Sequence, residues 1–168
     1  YEKQLPSRLE APSKLGNMAS AILRHLTVGQ ALQDRPDGKL VTVNADMTLG
    51  ELIEEFAYSN QACFPVVDHE QLMTGVIDSR NIRRIVTETG MADLIIARDI
   101  EIPATTVTMN ESLLSALNNL VKSKSDEIVV VDEHESRRPI SPLSRNDIIA
   151  TYNRQIVGQI EADSSPND

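Results

Sequence analysis

The sequence repeats itself, and the repeat limits the fold more than any other feature. Shifted by 64 positions, Thr42-Val43 falls on Thr106-Val107, Asp46 on Asn110, Thr48 on Ser112, and Leu49 on Leu113. The same shift brings Ser59 onto Ser123 and Val66-Val67-Asp68 onto Val130-Val131-Asp132. Two extra residues in the second copy change the shift to 66. Ile77 then meets Leu143, Asn81 meets Asp147 and Ile82 meets Ile148. Upstream, Val28 to Leu32 resembles Ile96 to Ile100. A unit of roughly 60 residues buries too little surface to be comfortable alone. Two units packed together share a core.

Each copy has the same order of elements. A short strand is expected at Leu40 to Val43 and at Thr105 to Val107. A helix follows, because Leu49, Leu52, Ile53, Phe56 and Ala57 fall on one helical face. Leu113, Leu117, Leu120 and Val121 repeat the stripe. Thr48 with Glu51 three residues on reads as a capping box. Phe64 to Val67 and Ile128 to Val131 are apolar throughout, as strands covered on both faces are. A second short strand (Val76-Ile77, Pro142-Leu143) leads to a closing helix that starts near Ser79 or Arg145. In that helix Ile82, Ile85 and Val86, or Ile148, Ile149 and Tyr152, face inward. The expected fold is α/β (α+β), two β-α-β-β-α repeats related by a pseudo-two-fold. The expected divisions are a linker at 1–27 carrying a short helix near Met18 to Leu26, a first repeat at 28–87, a connector at 88–95, a second repeat at 96–156 and a polar, frayed tail at 157–168.

Composition narrows the function. With 16 Lys+Arg against 25 Asp+Glu the net charge is −9, so the surface repels phosphate backbones and a nucleic-acid partner is disfavoured. Aromatics make up only 3% and Trp is absent, which leaves little for base stacking. Cys63 is the sole cysteine, so no intrachain disulfide can form, and a small core residue is its expected role. No apolar run reaches the length of about 18 residues needed to span a bilayer. Residues 1–27 run against the acidic trend: Lys3, Arg8, Lys14 and Arg24 outnumber Glu2 and Glu10. The chain opens on Tyr1 rather than Met, so a preceding segment is expected. His25, His69 and His134 stand apart without metal-ligand spacing. Glu54-Glu55 and Arg83-Arg84 read as solvated helix faces. Met91 to Ala97 reads as a core or dimer contact. No Gly-rich phosphate loop, nucleophile elbow or paired carboxylate supports an enzyme.

The motif Phe64-Pro65-Val66-Val67-Asp68, followed by Gly75-Val76-Ile77 and a polar-x-x-acid/amide step, resembles the CBS domain. The second copy carries Ile128-Val129-Val130-Val131-Asp132 and Ser144-Arg145-Asn146-Asp147. The resemblance runs from about Val28 to Gln155 and implies tandem CBS domains, a Bateman module. Such pairs are regulatory units that bind adenine nucleotides between the copies. Tyr1-Glu2-Lys3-Gln4-Leu5, with the proline-punctuated linker after it, is similar to the cytoplasmic C-terminal region of CLC-type chloride channels and chloride/proton antiporters. That likeness implies a regulatory module on the cytoplasmic side of the membrane, joined to a membrane-embedded transport domain of the same polypeptide. A homodimer is also implied, since CBS pairs often associate through their helices.

The candidate ligand site is Ser144, Arg145 and Asp147. A helix N-terminus offers free N–H groups and positive dipole to a phosphate, Arg145 could reach one, and Asp147 could accept from ribose hydroxyls. The same residues read equally as an N-cap and its first-turn partner. The family resemblance places Gln61, Ala62, Phe64 and Pro65 opposite, with ATP, ADP or AMP as the regulatory ligand and no required cofactor. Gln61-Ala62 stands where some relatives carry Tyr-Ser, which removes an aromatic from the adenine side. The second half-site, at Asp78, Asn81, Glu127 and Ile128, is expected to be degenerate. Asp78 stands where Ser or Thr is usual and would repel phosphate, so an N-cap is its expected role. The leading expectation is a nucleotide-sensing module of chloride transport. The alternative is a regulatory or dimerising pair of a soluble enzyme or another transporter, without nucleotide.

Overall fold

The computed structural model describes residues 10–33, 35, 39–89 and 92–164. The first repeat comprises β1 (Val43–Asn44), α3 (Leu49–Ala57), β2 (Cys63–Val67), β3 (Met73–Asp78) and α4 (Ser79–Thr89). The second comprises β4 (Thr106–Thr108), α6 (Leu113–Ser123), β5 (Glu127–Val131), β6 (Pro139–Ser144) and α7 (Arg145–Ser164). Two helices, α1 (Glu10–His25) and α2 (Val28–Gln33), precede the first repeat, and the short α5 (Ala97–Ile100) precedes the second.

The copies match in register as well as in order. Each forms a three-stranded sheet with a parallel and an antiparallel pair, β1-β2-β3 and β4-β5-β6. Val43 opposes Val66 and Val107 opposes Val130. Both antiparallel pairs shift register at the same step, Val66/Val67 and Val130/Val131. β2 and β5 are buried at every residue, as their unbroken apolar runs require.

Local chemistry sets the helix starts. The Thr48 hydroxyl accepts from the Glu51 N–H, and the Glu51 carboxylate accepts from Thr48, so the capping box closes. Ser112 caps α6, which ends where Lys124 turns left-handed at φ 54°. β1 is shorter than the expected Leu40 to Val43. The Gln61 side chain accepts from the Val41 N–H and donates to the Val41 carbonyl, so an amide replaces the next rung of the ladder. The strands β3 and β6, by contrast, extend several residues beyond the expected dipeptides.

The segments before the repeats are exchanged between them. The N–H groups of Val28 and Gly29 donate to the carbonyls of Glu111 and Met109 in the second repeat. Those of Ala97 and Arg98 donate to Met47 and Ala45 in the first. Leu23, Leu26, Val28 and Ala31 therefore share a core with Leu113, Leu120, Ile128, Leu143 and Ile148. Ala97, with Ala92, Ile95 and Ile100 beside it, joins Leu49, Leu52, Phe64 and Ile77. This corrects the expectation of a free linker with a helix only from Met18. The helix begins at Glu10, and its last turns are core of the distant copy. Pro12 is accommodated because first-turn N–H groups have no intrahelical partner. Residues 157–164, expected as a frayed tail, continue α7.

A third apolar cluster joins the repeats: Cys63, Met73 and Val76 meet Val129 and Val131. The Cys63 thiol is pushed up to about 12 by burial and by the nearby Glu127 and Asp78 carboxylates, which keeps it an unreactive core group. The backbones of Val76 and Ile102 exchange two hydrogen bonds of 2.9 Å. Gly75 allows this approach, since a Cβ there would stand 2.8 Å from the Ile102 carbonyl oxygen.

Candidate functional site

The repeats leave an open cleft of about 330 Å³ where the N-terminus of α7 faces the loop before β2. Asn60, Ala62, Asp126, Glu127, Ser144, Arg145 and Asn146 line it. Ser144, Arg145 and Ala62, named from sequence, thus come together from different repeats, across about half the chain.

Ser144 and Asp147 are bonded to each other. The Ser144 hydroxyl and N–H donate to the Asp147 carboxylate at 2.7 and 2.8 Å, and the Asp147 N–H donates to the Ser144 hydroxyl at 3.1 Å. This is a capping box with aspartate as its acid. Asp147 also faces Arg35, whose guanidinium lies 3.5 Å from the carboxylate and donates to the Pro142 carbonyl at 2.6 Å. Arg145 lies at the mouth, 4.0 Å from Asp126.

Glu127 forms the floor. It is buried, and one carboxylate oxygen accepts from the Ala62 and Cys63 N–H groups at 2.5 and 3.0 Å. Burial raises its pKa above the ordinary value. The two N–H groups and the Arg35 charge pull it down, while Asp147 adds to the rise. Sequence reasoning assigned Glu127 to the other half-site, which it borders, and its carboxylate also spans the repeats beneath this one.

Three further expectations need correction. The Phe64 ring is fully buried in the first core, with its centroid 3.8 Å from that of Phe56, so it cannot face a ligand. Strand alternation explains this, since Phe64 and Val66 point into the first core while Cys63 points toward the second repeat. Pro65 is likewise buried within β2. The Gln61 amide is consumed by Val41 and by the Cys63 carbonyl, to which it donates at 2.7 Å.

The opposite half-site is small, a space of about 40 Å³ bordered by Cys63, Asp78, Ser125, Glu127 and Ile128. Asp78 accepts from the Arg80 N–H at 2.9 Å, which is the expected N-cap, and from the Arg80 guanidinium at 2.8 and 3.0 Å. Arg80 also donates to the Lys124 carbonyl of the second repeat at 2.8 Å. Burial pushes the Asp78 carboxyl up, but the Arg80 bonds and charge outweigh it and hold the pKa below the ordinary value. Asn81 is half-buried on α4, and Ile128 is core.

Arg35, Asn60, Asp126 and Asn146 were not foreseen. Asp126 and Asn146 adjoin motif positions and could have been included on spacing. Arg35 carries no local signal, because its partners Pro142 and Asp147 are more than a hundred positions away.

A search of curated proteins gave no match. The model of the CBS domain family matches residues 32–88. Among solved structures, the CBS domain of a CBS-containing membrane protein from Sphaerobacter thermophilus is similar at 17% identity and TM-score 0.61, covering 84% of this chain and 97% of that one. The CBS domain of a bacterial CNNM/CorC family Mg2+ transporter in complex with ATP is similar at 19% identity and TM-score 0.64, covering 84% and 97%. A CBS domain pair in complex with 5′-methylthioadenosine and S-adenosyl-L-methionine is similar at 18% identity and TM-score 0.62, covering 77% and 98%. With the register-matched repeats, these likenesses fix the architecture: the chain has the fold of a CBS-domain pair, and residues 32–88 are its CBS-matching segment.

Proposed function

We infer that this chain is a regulatory module that takes an adenine nucleotide in the Ser144 cleft. The observation that carries the reading is the joint lining of one open cleft by Asn60 and Ala62 of the first repeat and Ser144 and Arg145 of the second. Its volume is within the range of small-molecule sites. Phosphate would approach the start of α7 beside Arg145, where N–H dipoles and a cation favour negative charge. Ribose would approach Asp147. A ligand touching both repeats favours the relative orientation that contacts it best, and shifts the equilibrium only by that difference in affinity. ATP, 5′-methylthioadenosine and S-adenosyl-L-methionine in the similar structures share the adenosine part.

Attachment to a membrane transport domain on the cytoplasmic side is part of this reading, supported by membrane-protein and Mg2+-transporter contexts among the similar structures. Among the described residues no helix is long and apolar enough to cross a membrane. Chloride as the cargo rests on the likeness of Tyr1 to Leu5 to CLC-type transporters, and those residues lie outside the described ones.

Calorimetry with AMP, ADP and ATP tests the site. Binding that is lost in Asp147→Ala and kept in Asp78→Ala supports it. No heat with any of the three at millimolar ligand leaves a dimerising pair. That second reading draws on a groove of about 630 Å³ between α3 and α4, lined by Ile53, Phe56 and Ile82.

A further inference from the structure

Asp147 does not itself line the cleft but is bonded to Ser144, which does, and it is held by a distant side chain of the protein itself. Arg35 reaches across from the segment after α2. Its guanidinium donates to the Pro142 carbonyl at 2.6 Å and lies 3.5 Å from the Asp147 carboxylate. Both partners are only partly exposed, 26% for Arg35 and 19% for Asp147. The arginine also acts electrostatically on Glu127, so it serves both Asp147 and the acid of the cleft floor. The Asp147 carboxylate oxygen facing Arg35 already accepts from the Ser144 hydroxyl and N–H. A diol that bridges both oxygens of this aspartate must therefore compete with Arg35 and Ser144 for one of them.

We propose that Arg35, anchored on the Pro142 carbonyl, is an internal occupant of the Asp147 carboxylate beside the cleft and sets ligand affinity by holding the acid that a nucleoside's ribose would approach. The inference rests on the nucleotide reading above and adds a residue to it. Ligand binds only to the fraction of molecules in which Arg35 has left Asp147, so apparent affinity falls by that fraction. The penalty is borne at the nucleoside end. Phosphate, bound at the start of α7, does not meet Arg35 in its seated position. The device favours ligands with enough contacts at Ser144 and Arg145 to displace a charge-assisted pair. It disfavours bare nucleosides.

Adenosine and AMP titrations of the full chain, wild type against Arg35→Ala and Arg35→Gln, test this. Adenosine is the sharper probe because it competes for Asp147 and carries no phosphate. Removing the occupant should tighten adenosine about tenfold, which is about 1.4 kcal/mol, and AMP by at least severalfold. Arg35→Gln, which keeps a donor for Pro142 and loses the charge, should fall between. Thermal unfolding of both variants, performed alongside, verifies that each is folded. If AMP binds the wild type and Arg35→Ala binds either ligand equally or more weakly, Arg35 is a ligand contact or a bystander. The proposal then fails while the nucleotide reading stands. If no variant binds adenosine, AMP or ATP, the nucleotide reading fails and takes the proposal with it.

Discussion

Glu127→Ala removes the carboxylate that holds the repeats together beneath the cleft. In the wild type one oxygen accepts from two donors of the other repeat, the partly buried Ala62 N–H and the buried Cys63 N–H. Each buried donor left unsatisfied costs roughly 1–3 kcal/mol. Part of that is returned, because the buried charge beside Asp147 is itself unfavourable, as the raised pKa records. The expected net loss is about 2–4 kcal/mol, or a fall in melting temperature of roughly 5–15 °C at this chain length. Glu127→Gln keeps an oxygen for both donors and removes the charge, so it should stay within about 1 kcal/mol of wild type at neutral pH. The pH dependence separates the two further. A carboxyl whose pKa is raised in the folded state binds its proton more tightly there. Its contribution is full below the unfolded value of 4.5 and is lost as pH rises through the folded value. The Gln variant should lack that decline. Urea unfolding of the three proteins between pH 4 and 8 reads both effects. An alanine variant within about 0.5 kcal/mol of wild type would show that the bridge is idle. A glutamine variant as damaged as alanine would place the effect in the charge rather than in the bonds.

Other substitutions probe the remaining joints. Gly75→Ala sets a Cβ 2.8 Å from the Ile102 carbonyl oxygen, a backbone atom with little freedom to move, and should cost about 1–3 kcal/mol in chemical denaturation. Asp78→Ala removes an N-cap and the anchor of Arg80. It should destabilise by about 1–2 kcal/mol at pH 7. Because the folded pKa of Asp78 is lowered, that contribution is present above 3.8 and fades as pH falls through the folded value, so wild type and variant should converge in acid. Phe64→Ala empties a fully buried site in the first core and should cost about 3–5 kcal/mol without a specific loss of ligand affinity beyond that of unfolding. Leu26→Ala should weaken the second repeat, not the first, by about 2–4 kcal/mol. Hydrogen exchange of β5 against β2 would resolve the difference.

Local patterns carried much of the architecture. The capping box at Thr48 and Glu51, the helical stripe from Leu49 and the apolar runs of β2 and β5 depend on neighbours within a few residues, so period and capping chemistry reveal them. The repeat then supplied the tertiary pairing. The exchange of Val28 and Ala97 between the copies was not legible, because either repeat offers the same apolar groove and nothing local chooses between them. At the site, Ser144 and Asp147 were correctly joined as partners, and the structure gives their capping geometry. Phe64 was misplaced because a family motif names residues of a strand without saying which face each takes. Glu127 and Arg35 act across the chain on the Ala62 N–H and the Pro142 carbonyl, and backbone atoms leave no mark in a sequence.

Amide chemical-shift mapping during an AMP titration tests most directly whether the cleft between the repeats is a nucleotide site. Saturating shifts at Asn60, Ala62, Ser144, Arg145 and Asn146, with Ser79, Arg80 and Asn81 unmoved, are the predicted outcome. Shifts centred on the Asp78–Arg80 side, or none at millimolar AMP, would contradict it.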